Sequence, residues 1–119
     1  MLLPMRRFLL VAGLVTATIS CHSTTVESAP LAVTLTANPM TATHGDTVTF
    51  SVSAQGGFLI GVEIDFGDSN TDQFGTGGAT TARVTFKHAY GSAGDFDVRA
   101  TATDGSAGQK DANVQVHIN

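Results

Sequence analysis

From Leu31 to the end, the chain alternates apolar and polar residues with a period of two, and this pattern constrains its fold more than anything else in the sequence. In an extended strand, successive side chains point to opposite faces, so such alternation marks strands buried on one side only. Leu31, Val33, Leu35 and Ala37 share one parity, and Val48, Phe50, Val52 and Ala54 share the next. Val62, Ile64 and Phe66 follow, then Ala82, Val84 and Phe86, then Phe96, Val98, Ala100 and Ala102. Ala112, Val114, Val116 and Ile118 close the set. Threonine, serine and other polar residues occupy the intervening positions. No window sustains apolar residues at i, i+3, i+4 and i+7, and β-branched residues dominate, so the folded part is expected to be all-β.

Turn-forming residues separate these runs. Asn38-Pro39, His44-Gly45-Asp46, Gln55-Gly56-Gly57, Gly91 to Gly94, and Asp104-Gly105 with Gly108 each predict a turn, and the stretch from Gly67 to Gly78 predicts the longest loop. Six or seven short strands, each with one apolar face, need a second apolar layer, which implies an Ig-like antiparallel sandwich of two sheets over residues 31–119. An antibody-type domain would carry an inter-sheet disulfide packed on tryptophan; this chain has one cysteine and no tryptophan.

The first 20 residues have a different character. Arg6-Arg7 precedes an apolar run from Phe8 to Ile19, the layout of an export signal, and this run is short of the roughly 20 apolar residues that span a bilayer. It ends at Thr18-Ile19-Ser20-Cys21, and Cys21 is the sole cysteine. This tetrapeptide resembles a bacterial lipobox, although Thr18 stands where an aliphatic residue is usual. The resemblance implies a signal peptide over residues 1–20, acyl chains such as palmitate on Cys21, and a lipidated cysteine with flexible linker over 21–30. His22, rather than aspartate, after the cysteine then implies the outer membrane. The alternative is an ordinary secretory signal with an unmodified cysteine.

Removing that segment leaves Arg83, Lys87, Arg99 and Lys110 against ten acidic residues. An anionic chain without a run of basic residues repels a phosphate backbone and gains little from counterion release, so no nucleic-acid partner is expected.

Three motifs in order carry a family resemblance: Val62-Glu-Ile-Asp-Phe-Gly-Asp-Ser69, then His88-Ala-Tyr90, then Gly94-Asp-Phe-Asp-Val98 with a strand ending in Thr103-Asp104. Together they resemble the PKD domain family, whose pattern runs W-x-F-G-D-G, H-T-Y and G-x-Y-x-V. Ile64 replaces the tryptophan, Ala89 the threonine and Phe96 the tyrosine. Ser69 replaces the second glycine at a turn where glycine supplies a positive φ, and Asn70 is the expected substitute one residue on. Phe66, Gly67, Asp68, His88 and Tyr90 are read as structural. Phe66 packs inward, Asp68 caps its own loop, His88 makes a hydrogen bond, and the Tyr90 hydroxyl bonds a backbone carbonyl as in a tyrosine corner.

Little else suggests chemistry. His22, His44, His88 and His117 have no metal-ligand spacing and no cysteine partner. Ser92 lies in Gly91-Ser-Ala-Gly94 with no helix pattern after it, unlike a nucleophile elbow. Asp65, Asp68 and Asp72 could contribute calcium ligands, but their spacing fits no calcium loop motif. No catalytic residues, metal or cofactor are therefore expected. The expected role is a lipid-anchored envelope module that binds or spaces, touching proteins or polysaccharides through Asp68, Asp72 and Phe74 of the 67–78 loop. The alternatives are a purely structural envelope protein and a secreted calcium-binding module.

Overall fold

The computed structural model describes residues 30–119. The expected signal segment, Cys21 and residues 22–29 of the linker lie outside the described residues. Six strands follow: β1 (Ala32–Asn38), β2 (Thr41–Ala42), β3 (Thr47–Asp65), β4 (Thr71–Ala89), β5 (Gly94–Asp104) and β6 (Gly108–Ile118). No helix occurs among the described residues. The fold is the all-β, Ig-like sandwich that the alternation implies.

Two of these strands are far longer than expected. The N-terminal half of β3 pairs antiparallel with β1 on one side and with the C-terminal half of β4 on the other. Its C-terminal half pairs with the N-terminal half of β4 and with β5. β5 pairs antiparallel with β6, and β6 pairs in parallel with the short β2. The β3–β4 hairpin thus runs through both layers. Its first part belongs to a three-stranded sheet, and its second part to a sheet completed by β5, β6 and β2. β1 packs across the interior against β5 and β6.

The expected turn at Gln55-Gly56-Gly57 is instead a corner inside β3. Register shifts fall between Gln55 and Leu59 and between Leu59 and Gly61. Extra residues bend a strand and strengthen its twist, which allows one strand to leave the first sheet and enter the second. Leu59 is buried at the corner out of parity with its neighbours, and Val62 and Ile64 then restore the original parity.

The interior is formed by the alternating residues of every long strand, among them Val48, Phe50, Val52, Leu59, Val62, Ile64, Val84, Phe86, Val98, Ala100, Val116 and Ile118. Asp104 is the only buried charged side chain among the described residues. One oxygen of its carboxylate accepts the Phe58 N–H at 2.8 Å. The other accepts the N–H groups of Ser106 (2.8 Å) and Ala107 (2.9 Å) and the Ser106 hydroxyl at 2.9 Å. The Gly105 N–H donates back to the Phe58 carbonyl at 2.8 Å. The tip of the β5–β6 hairpin therefore clamps the corner of β3. Gly56 allows this closeness, because a Cβ there would overlap the Asp104 carboxylate.

Candidate functional site

The motif residues assemble where β3 ends and β4 returns. Phe66 is buried at the end of β3, and the chain then reverses over four residues, the Phe66 N–H bonding the Asn70 carbonyl at 3.0 Å. Asp65 accepts the Gly67 N–H at 2.8 Å, and Asp68 accepts the Asn70 N–H at 3.2 Å, so aspartate side chains hold the turn from both ends. Gly67 takes a φ of +86°, and a Cβ there would meet the Asp97 carbonyl oxygen at 2.6 Å. The second positive φ of the turn belongs to Ser69, at +74°, and not to Asn70 as expected. The bond from the Asn70 N–H to the Asp68 side chain closes an Asx-turn around Ser69, and the left-handed position falls on that enclosed residue.

The other oxygen of Asp68 lies 2.7 Å from Nε2 of His88, on β4. An ionised carboxylate only accepts, so the imidazole donates. The His88 ring stacks on Phe66 with centroids 4.1 Å apart and planes 8° apart, and Tyr90 meets it edge-on at 4.7 Å. Tyr90 in turn stacks on Phe96 at 4.4 Å. The Tyr90 hydroxyl donates to the Phe66 carbonyl at 2.8 Å. A continuous series of rings thus joins the ends of β3 and β4 to the start of β5.

The electrostatics follow from these contacts. Burial raises the Asp68 pKa, but the hydrogen bond and charge of His88, with both Asn70 bonds, outweigh it and hold the carboxyl below its ordinary value. Burial also pushes the Tyr90 phenol well above its usual range, and the charges of Asp68 and Asp65 add to that effect. Neither shift creates a general base or nucleophile at neutral pH: Asp68 is held ionised and Tyr90 protonated. Phe66 covers one face of His88, and Nδ1 makes no hydrogen bond to a hydroxyl or thiol among the described residues.

The remaining candidates do not converge. Asp72 and Phe74 lie on β4, opposite Ile64 and Val62, because the expected 67–78 loop is only the short turn before Thr71. The glycines that suggested a loop, Gly75, Gly77 and Gly78, belong to an edge strand that makes ladder bonds on one side only, where missing side chains cost little packing. Phe74 remains about half exposed at 51 %, and Asp72 accepts the Gln73 N–H. Phe58, 56 % exposed, lies against Gly78 and Gly105. Ser92 is exposed in the turn before β5, a strand and not a helix. His44 contacts the Asn119 carbonyl, and His117 contacts Asp95, whose hydrogen bond raises the His117 pKa. Among the described residues no three His, Cys, Asp or Glu side chains gather as a metal site.

Sequence reading missed Asp104. It stood out as the end of the third motif and the start of an Asp-Gly turn, and nothing local signals a bond to Phe58, 46 residues earlier.

Two substitutions test the motif. Asp68→Ala and Tyr90→Phe are each expected to cost about 1 kcal/mol, the usual net value of a hydrogen bond, and to lower the melting temperature by about 4–8 °C. Circular-dichroism melts check this. Unchanged melting with a lost interaction would move these residues from scaffold to binding surface.

Three comparisons bear on this arrangement. The family model described as PKD domain matches residues 32–118. Among solved structures, the chain is similar to the PKD domain of an M14-like peptidase from a Thermoplasmatales archaeon, with 23 % identity and a TM-score of 0.66, covering 77 % of this chain and 98 % of that one. It is also similar to a CARDB domain from Pyrococcus furiosus in complex with di-metal ions, with 17 % identity and a TM-score of 0.59, covering 80 % of this chain and 97 % of that one. No curated protein matches the chain.

Proposed function

The chain belongs to the PKD domain family, and from that premise we propose that it is a non-catalytic binding or spacer module, exported and held at the bacterial envelope by lipid on Cys21. The observation that carries the reading is how the polar groups of the motif are used inside the fold. Asp68, His88 and Tyr90, residue types that can serve in acid–base chemistry, spend hydrogen bonds on one another, on Asn70 and on the Phe66 carbonyl. They brace the turn and leave no group poised for chemistry. The archaeal neighbour, a domain of a peptidase, supports the view of this fold as an adjunct to other activities.

The address rests on the sequence. A positive pair, a short apolar run and a single cysteine at its end suit an exported lipoprotein, and His22 favours the outer membrane. Several acyl chains, each buried methylene contributing about 0.8 kcal/mol, hold such a protein firmly. Mass spectrometry of the membrane fraction is expected to find a mature protein that begins at an acylated Cys21. A soluble protein that begins elsewhere would remove the anchor from the proposal. Turnover by the wild-type chain that is lost in a His88→Gln variant of unchanged stability would remove the non-catalytic reading.

A further inference from the structure

Charge on the sandwich is sorted by sheet. On the outer face of the three-stranded sheet, the pairing sets Thr34, Ser53 and Arg83 in one row, Thr36, Ser51 and Thr85 in the next, and Asn38, Thr49 and Lys87 in a third. Their neighbours along each strand, such as Leu35, Val52 and Val84, are buried, which fixes these rows as the outward face. Arg83 and Lys87 are its only charged residues, both exposed, and neither forms an ion pair among the described residues. The outer face of the other sheet carries Glu63, Asp65, Asp97 and Asp111 against Arg99. A cationic, hydroxyl-lined face therefore stands on a protein that is otherwise acidic.

That face is also concave. Two shallow depressions meet on it and share Thr34, Ser53 and Arg83, forming one trough that follows the strands with Arg83 near its middle. Lys87 lies on the same face beyond the lining of the trough, four residues from Arg83 along one strand and so about 13 Å from it.

We propose that this face, the trough with Arg83 and, beyond its end, Lys87, binds an acidic polysaccharide. Its cations and hydroxyls offer hydrogen-bond donors at repeated spacing along an extended line, which suits a chain that presents carboxylates and ring oxygens at intervals. It has no exposed aromatic or large apolar side chain to anchor a protein partner, and stable protein interfaces depend on such anchors. The acidic surface elsewhere repels a polyanion and directs it to this face. The proposal rests on reading the chain as an exported module, which would meet envelope polysaccharides, and it names their chemistry.

The test uses the full chain, purified in nonionic detergent from whichever fraction holds it. It is titrated with polygalacturonate, and with dextran as an uncharged polymer, in 50 and 200 mM sodium chloride. Polygalacturonate should bind saturably and dextran should not. Release of about two counterions should weaken binding roughly tenfold at the higher salt. Arg83→Gln and Lys87→Gln should each weaken it about fivefold, and Arg99→Gln on the opposite sheet should leave it unchanged. Equal binding of dextran, wild-type affinity in both the Arg83 and the Lys87 variants, or no binding at 50 mM salt would overturn the proposal. So would self-association in sedimentation that Arg83→Gln abolishes without any polysaccharide bound, since the trough would then meet the acidic face of a second copy. Mass spectrometry of Cys21 in the same sample reads the anchor separately, so a missing lipid with intact binding counts against the anchor alone.

Discussion

Replacement of Asp104 by alanine is expected to lower the melting temperature by roughly 10–15 °C, more than the loss of the single bond in Tyr90→Phe. The carboxylate accepts four hydrogen bonds, and removing it leaves the N–H groups of Phe58, Ser106 and Ala107 without their partner at a part-buried corner. Asparagine cannot rescue the site. Its single oxygen can serve the hairpin tip or Phe58, and its NH₂ then faces a donor on the other side. The pH dependence follows from the same bonds. The Phe58, Ser106 and Ala107 N–H groups, in that order, hold the Asp104 pKa far below its ordinary value, against the effect of burial. A carboxyl with a lower pKa in the folded state than in the unfolded state stabilises fully above the unfolded value, near 4, and loses that contribution as pH falls below it. Asp68 shifts in the same direction and adds to the loss. Denaturant melts from pH 7 to pH 2 should therefore show stability falling below about pH 4, with a flatter profile in Asp104→Asn. Asp111→Ala, exposed on the outer face, serves as the control and should melt like the parent. A parent-like melt for Asp104→Ala would show that the corner of β3 holds without its clamp.

Gly67→Ala is the second large effect, expected to cost about 2–4 kcal/mol by adding backbone strain to a steric overlap. The φ of +86° is costly for alanine, and the added carbon would lie 2.6 Å from the Asp97 carbonyl oxygen and 3.2 Å from its nitrogen. Both are backbone atoms of β5, fixed in the ladder with β6 at Gln115, so neither can move aside cheaply. Gly75→Ala gives the contrast: that glycine has no positive φ and open space around its Cβ position, so its melt should differ by less than about 1 kcal/mol. Equal melting of the two variants would mean that the turn after Phe66 adapts freely, and the structural reading of the motif would fail with it.

The faces of the sandwich were legible in the sequence because parity is a side-chain property. Val48, Phe50, Val52 and Ala54, or Val98, Ala100 and Ala102, can satisfy one buried face in only one way. Glycine carries no side chain and so reports no parity, which is why Gly56-Gly57 and Gly75 to Gly78 read as breaks when both strands run through them. A bulged corner and a turn look the same at that level. Asp72 and Phe74 were assigned to a loop for this reason, and they lie on an edge strand instead. The Phe66, His88 and Tyr90 ring series was legible through motif resemblance, whereas the Asp104 clamp was not, because its two halves meet only after β3 and β5 have paired. At Ser69 the need for a positive φ was readable, but the residue that meets it was not, since the choice depends on which residue the Asx-turn encloses.

The pairing of β2 with β6 sets how the domain carries load. β2 and the last two residues of β6 run parallel, with Thr41 opposite His117 and Ala42 opposite Ile118. The bonds from the His117 N–H to the Met40 carbonyl and from the Asn119 N–H to the Ala42 carbonyl lie across them. A pull that draws the two ends of the domain apart moves parallel neighbours past each other, so these bonds are strained in shear together and not opened one at a time. Yielding then requires them to fail at once, so the seam between β2 and the end of β6 resists as a unit.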